Sequence, residues 1–146
     1  MNLIVIESPF AGDEAANLSY VRWAMSFCFQ ELGSAPYASH ALYTQPGVLR
    51  DHLPEERKLG MRAGFSWGAL ATERGVFCDR GISGGMITGI QQARSHGQIV
   101  RYYQIRDWIE AILLARGSKL GEDALRDMPN AAEVAEQIAR TKGANS

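Results

Sequence analysis

The sequence predicts an α/β fold, a single-domain three-layer sandwich whose helices cover a mostly parallel sheet of four to five strands. The chain has 146 residues, which is enough for one hydrophobic core but not for two. Short apolar runs alternate with segments whose apolar residues recur every three or four positions, an order typical of parallel sheets. Hydrophobic residues make up 46% and charged residues 21%, which excludes a fibrous or globally disordered protein.

The first predicted unit is a strand, a loop and a helix. Residues 3–6 form a continuous apolar run typical of a buried parallel strand, and residues 7–12 form the loop after it. Asp13 is a suitable N-cap for the following helix. The apolar residues of that helix recur at three- and four-residue steps until Gly33 ends it.

The middle of the chain predicts a second strand with its loop at residues 35–43 and a helix from Pro54 to about Glu73. Proline suits the first position of a helix. Three glycines recur every four residues in this helix, which predicts a face that another backbone approaches closely, in the core or in a dimer. They are Gly60, Gly64 and Gly68.

The last strands and helices follow in the same alternation. Residues 75–78 and 98–103 are predicted strands, and residues 79–85 form a glycine-rich loop that opens a helix. Another helix begins near Arg106. We therefore assign residues 1–116 to the α/β domain and residues 117–146 to a C-terminal helical extension packed on it.

Charge and cysteine content exclude several classes of function. Fifteen basic residues stand against sixteen acidic ones, a net charge of -1, so we expect no direct coating of DNA or RNA. The N-terminus has no cationic leader and no apolar run is long enough to span a membrane, which predicts a cytoplasmic protein of bacteria or of a phage-infected host. Cys28 and Cys78 are interpreted as buried thiols, and with three scattered histidines they predict no metal site and no cofactor.

Three loops are candidates for function because ligands of parallel sheets lie beyond the carboxyl ends of the strands. In the loop at 79–85, glycines and a helix N-terminus favour a phosphate group. We expect Ser83, Gly85 and Met86 to line its binding site and Arg80 to contribute as well. The alternative is a tight turn in which Ser83 only caps the helix.

The loop after the first strand is expected to hold the sugar or base of a ligand, with an aromatic ring against it. Its predicted binding residues are Ser8, Pro9, Phe10, Ala11 and Gly12. His40, near the end of the second strand, is a candidate hydrogen-bond donor or general acid. A structural histidine and an ordinary loop with a core phenylalanine are the alternatives.

The order of these motifs resembles the nucleoside 2-deoxyribosyltransferase-like superfamily, and in particular a group of short phage and bacterial proteins. The resemblance covers roughly residues 2–108. It depends on IESPFAG at 6–12, ASHALYT at 38–44, LPEERKLGMRAG at 53–64 and CDRGISGGMITGIQQA at 78–93. It implies a deoxyribosyltransferase-like fold, a nucleotide ligand and a homo-oligomer.

The resemblance also implies cleavage or exchange of an N-glycosidic bond by two carboxylates. Ser83 matches a serine that binds the 5′-phosphate in the monophosphate N-glycosidases, whose nucleophilic glutamate lies six residues later. This chain has Gly89 at that position, and the second carboxylate falls near Phe65 or Ser66. Both expected acids are therefore replaced.

Other acids are candidates to replace them, because a glycosidase needs a carboxylate close to the anomeric carbon. Asp79 is the first choice, since it precedes Ser83 at the same sheet edge. Glu7 and Glu56 are the others, and His40 completes the predicted catalytic set with Asp79 and Glu7.

Three interpretations of function remain open at this point. The first is a hydrolase or transferase acting on the N-glycosidic bond of a nucleotide-like ligand. The second is a protein that binds or sequesters such a ligand without turnover. The third is a phage-type interaction or inhibitor protein that reuses the fold as a surface for a protein partner.

Overall fold

Four parallel strands form the sheet, and helices cover both of its faces. The computed structural model describes residues 1–143. A π-helical turn, Cys28–Leu32, continues the first helix, and a 3-10 turn, Glu122–Leu125, precedes the last one. In chain order the strands and helices are β1 (Asn2–Glu7), α1 (Glu14–Phe27), β2 (Ser34–Tyr37), α2 (Ser39–Leu42), α3 (Pro54–Gly68), β3 (Glu73–Phe77), α4 (Gly84–Ser95), β4 (Ile99–Tyr103), α5 (Arg106–Arg116) and α6 (Ala131–Gly143).

The strand order is β2-β1-β3-β4, and every pairing is parallel. In the register, Ile4 lies opposite Pro36 of β2 and Glu73 of β3, whereas Glu7 has a partner only in β3, Val76. The predicted fold class is confirmed, with four strands that are all parallel.

The two faces of the sheet carry different side chains because successive residues of a strand point to opposite sides. Ile4, Ile6 and Phe77 belong to a large apolar core with α1 and α5. Val76 lies on the other face, in a smaller core beneath α4 and α6. Glu7 shares this second face with Val76, its partner in the register.

Two local predictions in the middle of the chain are wrong. The third helix ends at Gly68 rather than near Glu73, because the side-chain amide of Gln98 donates to the carbonyls of Gly68 and Ala71 and completes the helix end. The second strand ends at Tyr37, and the residues after it form α2 rather than a loop. Tyr37 is the last residue of β2 with a partner in β1.

The glycine face of α3 packs inside the domain, as predicted for a core contact. A Cβ atom on Gly64 would lie 2.7 Å from the Ser39 hydroxyl, and one on Gly68 would lie 3.2 Å from Nη2 of Arg74. Neither site has room for a larger side chain without movement of its neighbour.

The C-terminal extension contacts the α/β domain through α6. Val134 lies in the smaller core, Gln137 Oε1 accepts a 2.8 Å hydrogen bond from the Ile82 amide, and Arg94 donates to the Thr141 carbonyl at 2.7 Å. Residues 144–146 of the predicted extension lie outside the described residues.

The two cysteines are buried free thiols, as the sequence predicts. Burial raises the pKa of Cys28 and Cys78 to about 12, so both remain protonated at neutral pH. Among the helices within residues 1–143, none combines the length and apolar character that crossing a membrane requires.

Candidate functional site

A cleft of about 240 Å³ opens at the carboxyl end of β1, between α2, α3 and the N-terminus of α4. Its lining combines one apolar wall with charged and polar side chains. The lining residues are Val5, Glu7, Ser8, Phe10, Ala11, Ser39, His40, Asp51, Arg57, Met61, Gly64, Phe65, Arg74, Ser83, Gly84, Gly85 and Met86.

Glu7, the last residue of β1, places its carboxylate directly against the backbone of α4. A Cβ atom built on Gly89 would lie 2.1 Å from Glu7 Oε1 and 2.4 Å from the carboxyl carbon. No residue other than glycine fits at position 89 while Glu7 keeps this conformation. The carboxylate therefore occupies space that a side chain at position 89 would otherwise fill.

Burial has the largest effect on the pKa of Glu7, whose side chain is 15% exposed. Loss of solvation raises the pKa of Glu7 to about 7, although the ion pair and hydrogen bond with Arg74 act in the opposite direction. Nη1 of Arg74 lies 2.7 Å from Glu7 Oε1. Near neutral pH the group can therefore hold or release a proton, as acid–base and nucleophilic roles require.

Ser8, which follows Glu7, forms a partly buried polar pair with His40. The Ser8 hydroxyl and His40 Nε2 are 2.7 Å apart. Burial lowers the pKa of His40 to about 4, so its imidazole is neutral at pH 7. A neutral imidazole can position a hydroxyl group, but it is a poor source of a proton.

The opposite end of the cleft presents positive charge. The N-terminus of α4 opens towards it through Gly84 and Gly85, and Nη2 of Arg57 lies 3.4 Å from the position of a Cβ on Gly85. Asp51 accepts from Arg57 at 3.3 Å. Asp51 offsets the charge of Arg57, and the positive end of the helix dipole favours an anion bound beside it.

The wall between these two ends is apolar. Phe10 and Ala11 come from the loop after β1, and Met61 and Phe65 come from one side of α3. An aromatic ring and thioether side chain provide flat, polarizable contacts for a planar ring.

One protein-family model matches most of the chain. Residues 2–103 match the domain of unknown function DUF7768. The chain belongs to the DUF7768 family. No curated protein and no solved structure matches the chain. The matched segment contains all residues that line the cleft, whereas α5 and α6 lie outside it.

Within the DUF7768 segment, the loop at 79–85 places only some of its predicted residues in the cleft. Ser83, Gly85 and Met86 line it. The Ser83 hydroxyl also accepts a hydrogen bond from the Met86 amide at 3.4 Å. Ser83 therefore caps the helix, as in the alternative interpretation of this loop. Arg80 does not line the cleft, since its guanidinium donates to Asn17 at 2.8 Å and to the Ala124 carbonyl at 3.0 Å.

Asp79 lies on the other side of the sheet from the cleft. Its carboxylate accepts hydrogen bonds from the Tyr20 hydroxyl at 2.6 Å and from the Ile105 amide at 2.7 Å. These contacts join α1, the end of β3 and the start of α5. In this arrangement Asp79 braces the fold and has no access to a ligand in the cleft.

The remaining predicted positions divide between the cleft wall and other places. Ser8, Phe10 and Ala11 line the cleft, as does His40, while Pro9 and Gly12 are outside its lining. Two further positions also lie outside it: the Ser66 hydroxyl donates to the Arg62 carbonyl of its own helix, and Glu56 binds Arg50.

Sequence reasoning missed three charged residues of the cleft: Asp51, Arg57 and Arg74. Arg57 belongs to a helix-start motif whose charges resemble an ordinary solvated turn. Arg74 gave no signal, because it lies between Glu73, where the predicted helix ends, and Gly75, where the predicted strand begins. Among residues 1–143, no group of three or more His, Cys, Asp and Glu side chains is arranged to hold a metal ion.

Proposed function

We propose that the protein binds a nucleoside 5′-monophosphate or a closely related nucleotide in the cleft and cleaves its N-glycosidic bond with Glu7. The observation that carries this proposal is the contact between the Glu7 carboxylate and Gly89. The resemblance to the deoxyribosyltransferase-like superfamily implies a carboxylate projecting from position 89. The Glu7 carboxylate, which comes from β1, lies in that same space and would replace the carboxylate that α4 lacks.

The positive end of the cleft supports the phosphate part of the proposal. Backbone N–H groups at the start of α4 are free of helical partners, and Arg57 adds a guanidinium that matches phosphate oxygens. A phosphate between the two would accept hydrogen bonds from both, with Arg57 turning from Asp51 towards it. The base would then lie against Phe10 and Phe65, with the sugar near Glu7.

The chemistry that Glu7 would perform is nucleophilic. A carboxylate oxygen bonds to C1′ of the sugar while the C1′–N bond breaks and its electron pair leaves with the base, which takes up a proton from solvent. Water then displaces the glutamyl ester, leaving its oxygen on C1′ and releasing a proton. A pKa of about 7 for Glu7 makes both protonation states accessible near neutral pH.

Binding without turnover is the second candidate, and one contact favours it. Arg74 bonds to Oε1 of Glu7 and satisfies much of its charge. A carboxylate held in this way is a weaker nucleophile than a free one, and the cleft would then retain a nucleotide rather than hydrolyse it.

The deciding experiment compares base release with ligand binding for the same samples. The wild type, Glu7→Gln and Glu55→Gln are incubated with nucleosides, ribo- and deoxyribonucleoside monophosphates and NAD, and free base is quantified by chromatography. Thermal shift reports binding. Glu55→Gln makes the same chemical change on an exposed side chain of α3.

We expect base release from a monophosphate by the wild type and by Glu55→Gln, and a loss of about 100-fold or more in Glu7→Gln with its thermal shift retained. A thermal shift without base release in the wild type would replace the glycosidase with the binding protein. No response to any ligand would contradict both candidates and favour an interaction protein.

A further inference from the structure

A row of three polar side chains crosses the cleft face of the sheet. Glu7 comes from β1, Arg74 from β3, and Gln98 from the residue before β4. Arg74 Nη1 donates to Glu7 Oε1 at 2.7 Å and its Nη2 donates to Gln98 Oε1 at 3.1 Å. One guanidinium thus joins an acid and an amide on opposite sides of its strand.

The row is anchored at its far end by α3. The Gln98 amide nitrogen donates to the carbonyl of Gly68 at 2.7 Å and to that of Ala71 at 2.8 Å. Gly68 is the last residue of α3, which forms one wall of the cleft, and Ala71 lies in the connection from α3 to β3. Rotation of the Gln98 side chain would break both of these hydrogen bonds. The side chain is therefore fixed, and its Oε1 holds Arg74 in one orientation.

Arg74 is a buried cation with one countercharge. It is 2% exposed, and among the described residues it forms an ion pair with Glu7 only. Its Nε has no hydrogen-bond partner within residues 1–143. Burial of an arginine is unfavourable unless its charge is paired, so Arg74 favours the ionised form of Glu7 and the position in which the two meet.

We propose that Arg74 and Gln98 are positioning residues for Glu7: Arg74 holds the carboxylate against Gly89 and favours its ionised form, and Gln98 fixes Arg74. The consequence for catalysis rests on the proposed function. The position and ionisation of Glu7 are properties of the fold and can be measured without a substrate.

The charges around Glu7 make Arg74 the dominant partner. Gly89 of α4 contributes no charge, and His40 from α2 is neutral at pH 7 because burial lowers its pKa to about 4. Asp51 and Arg57, which line the same cleft, are paired with each other. Burial raises the pKa of Glu7, and Arg74 opposes that effect.

The test is a titration of the Glu7 carboxyl carbon by NMR in protein labelled at glutamate, with Glu7→Gln used to assign the signal. We compare the wild type with Arg74→Met, Arg74→Lys and Gln98→Met. Arg101→Met is the control, because Arg101 is a largely exposed arginine of β4 whose acidic neighbour is Glu73.

In Arg74→Met, we expect the titration of Glu7 to move upward by about one pH unit or more, since an opposite charge at this distance is worth that amount. Arg74→Lys should restore most of the change because it keeps the charge. Gln98→Met should produce a smaller upward shift, and Arg101→Met none. The acid limb of the rate profile for base release should move by the same amount.

An unchanged Glu7 titration in a folded Arg74→Met protein would overturn the proposal. If Arg74→Met does not fold, the comparison of Gln98→Met with Arg101→Met decides, and equal titrations in those two variants would overturn it as well. If the wild type releases no base but the titration moves as expected, the proposed function fails while the positioning role stands.

Discussion

The two faces of the sheet differ in the kind of side chain that β1 and β3 contribute to them. On the face towards α1 and α5, β1 and β3 contribute Ile6 and Phe77, which are 1% and 0% exposed in a continuous apolar core. On the face towards α3 and α4, the same two strands contribute Glu7 and Arg74, which form an ion pair beside Gly89. The face towards α1 and α5 therefore provides most of the apolar packing, and the face towards α3 and α4 provides the carboxylate that lines the cleft.

The difference has an energetic basis. Apolar burial stabilises the fold roughly in proportion to area, whereas a buried ion pair barely compensates for the solvation that its charges lose. Placing Glu7 and Arg74 on the cleft face costs stability that the apolar face offsets. Substitutions on the apolar face should therefore lower mainly the stability of the fold, and substitutions in the cleft should weaken mainly ligand binding.

The largest effect is expected on the apolar face. Phe77→Ala should lower the free energy of unfolding by about 3–5 kcal/mol, because it removes a fully buried ring and leaves a cavity. Phe10→Ala, in the cleft, should cost clearly less stability but weaken nucleotide binding. Urea unfolding and thermal shift measure the two quantities. Equal losses of stability in both variants would contradict the division between the faces.

The next effect concerns pH. Because the pKa of Glu7 is raised to about 7 in the folded protein, its contribution to stability is complete below its unfolded pKa of about 4.3 and is lost as pH rises through 7. Relative to Glu7→Gln, the wild type should lose up to about 3 kcal/mol of unfolding free energy between pH 5 and pH 8.

The wild type and Glu7→Gln both contain His40, so the contribution of His40 to the pH dependence of stability cancels when the two are compared. Glu55→Gln is the control, since Glu55 is 87% exposed and should leave the pH dependence of stability unchanged. A constant difference between the wild type and Glu7→Gln across this pH range would show that Glu7 is not the buried acid described above.

A smaller effect is expected from adding a single methyl group to α4. Gly89→Ala should destabilise the protein by about 1–3 kcal/mol, because its Cβ atom overlaps the Glu7 carboxylate. Gly84→Ala is the matched control, with no atom within 4 Å of its added Cβ. Chemical unfolding compares their stabilities, and a Gly89→Ala protein as stable as the control would disprove the close contact.

The smallest effect concerns the loop that carries Ser83. Gln137→Met removes the acceptor of the Ile82 amide and should lower stability by about 1 kcal/mol, with faster hydrogen exchange at that amide. Glu136→Gln, on the exposed side of the same helix, should leave the exchange unchanged. Similar exchange rates in both variants would mean that α6 does not hold this loop.

Local sequence patterns were sufficient for the layers and for the loop after β1, but not for α2, where the sequence predicts a loop. The apolar run in β1 predicts a buried parallel strand, and the glycine-rich loop at 79–85 predicts that a helix follows it. Both depend on neighbours in sequence. Helix ends were less predictable, because the end of α3 depends on Gln98, thirty residues after Gly68.

The choice between the candidate acids needed long-range information. Asp79 follows its strand just as Glu7 ends its own, and the sequence alone made Asp79 the first choice. Its carboxylate instead meets Tyr20 and Ile105. The positions of Arg57 and Arg74 in the cleft likewise depend on packing between elements that are distant in the chain.

The sequence by itself determined the order of strands and helices and the sheet edge at which their loops meet. Only the tertiary structure decided which acid enters the cleft. Glu7 pairs in register with Val76 and therefore points to the same face, towards α4. Asp79 lies in the turn after β3, where its carboxylate accepts hydrogen bonds from the Tyr20 hydroxyl and the Ile105 amide on the face towards α1 and α5. Gly89 then leaves the space that the Glu7 carboxylate occupies.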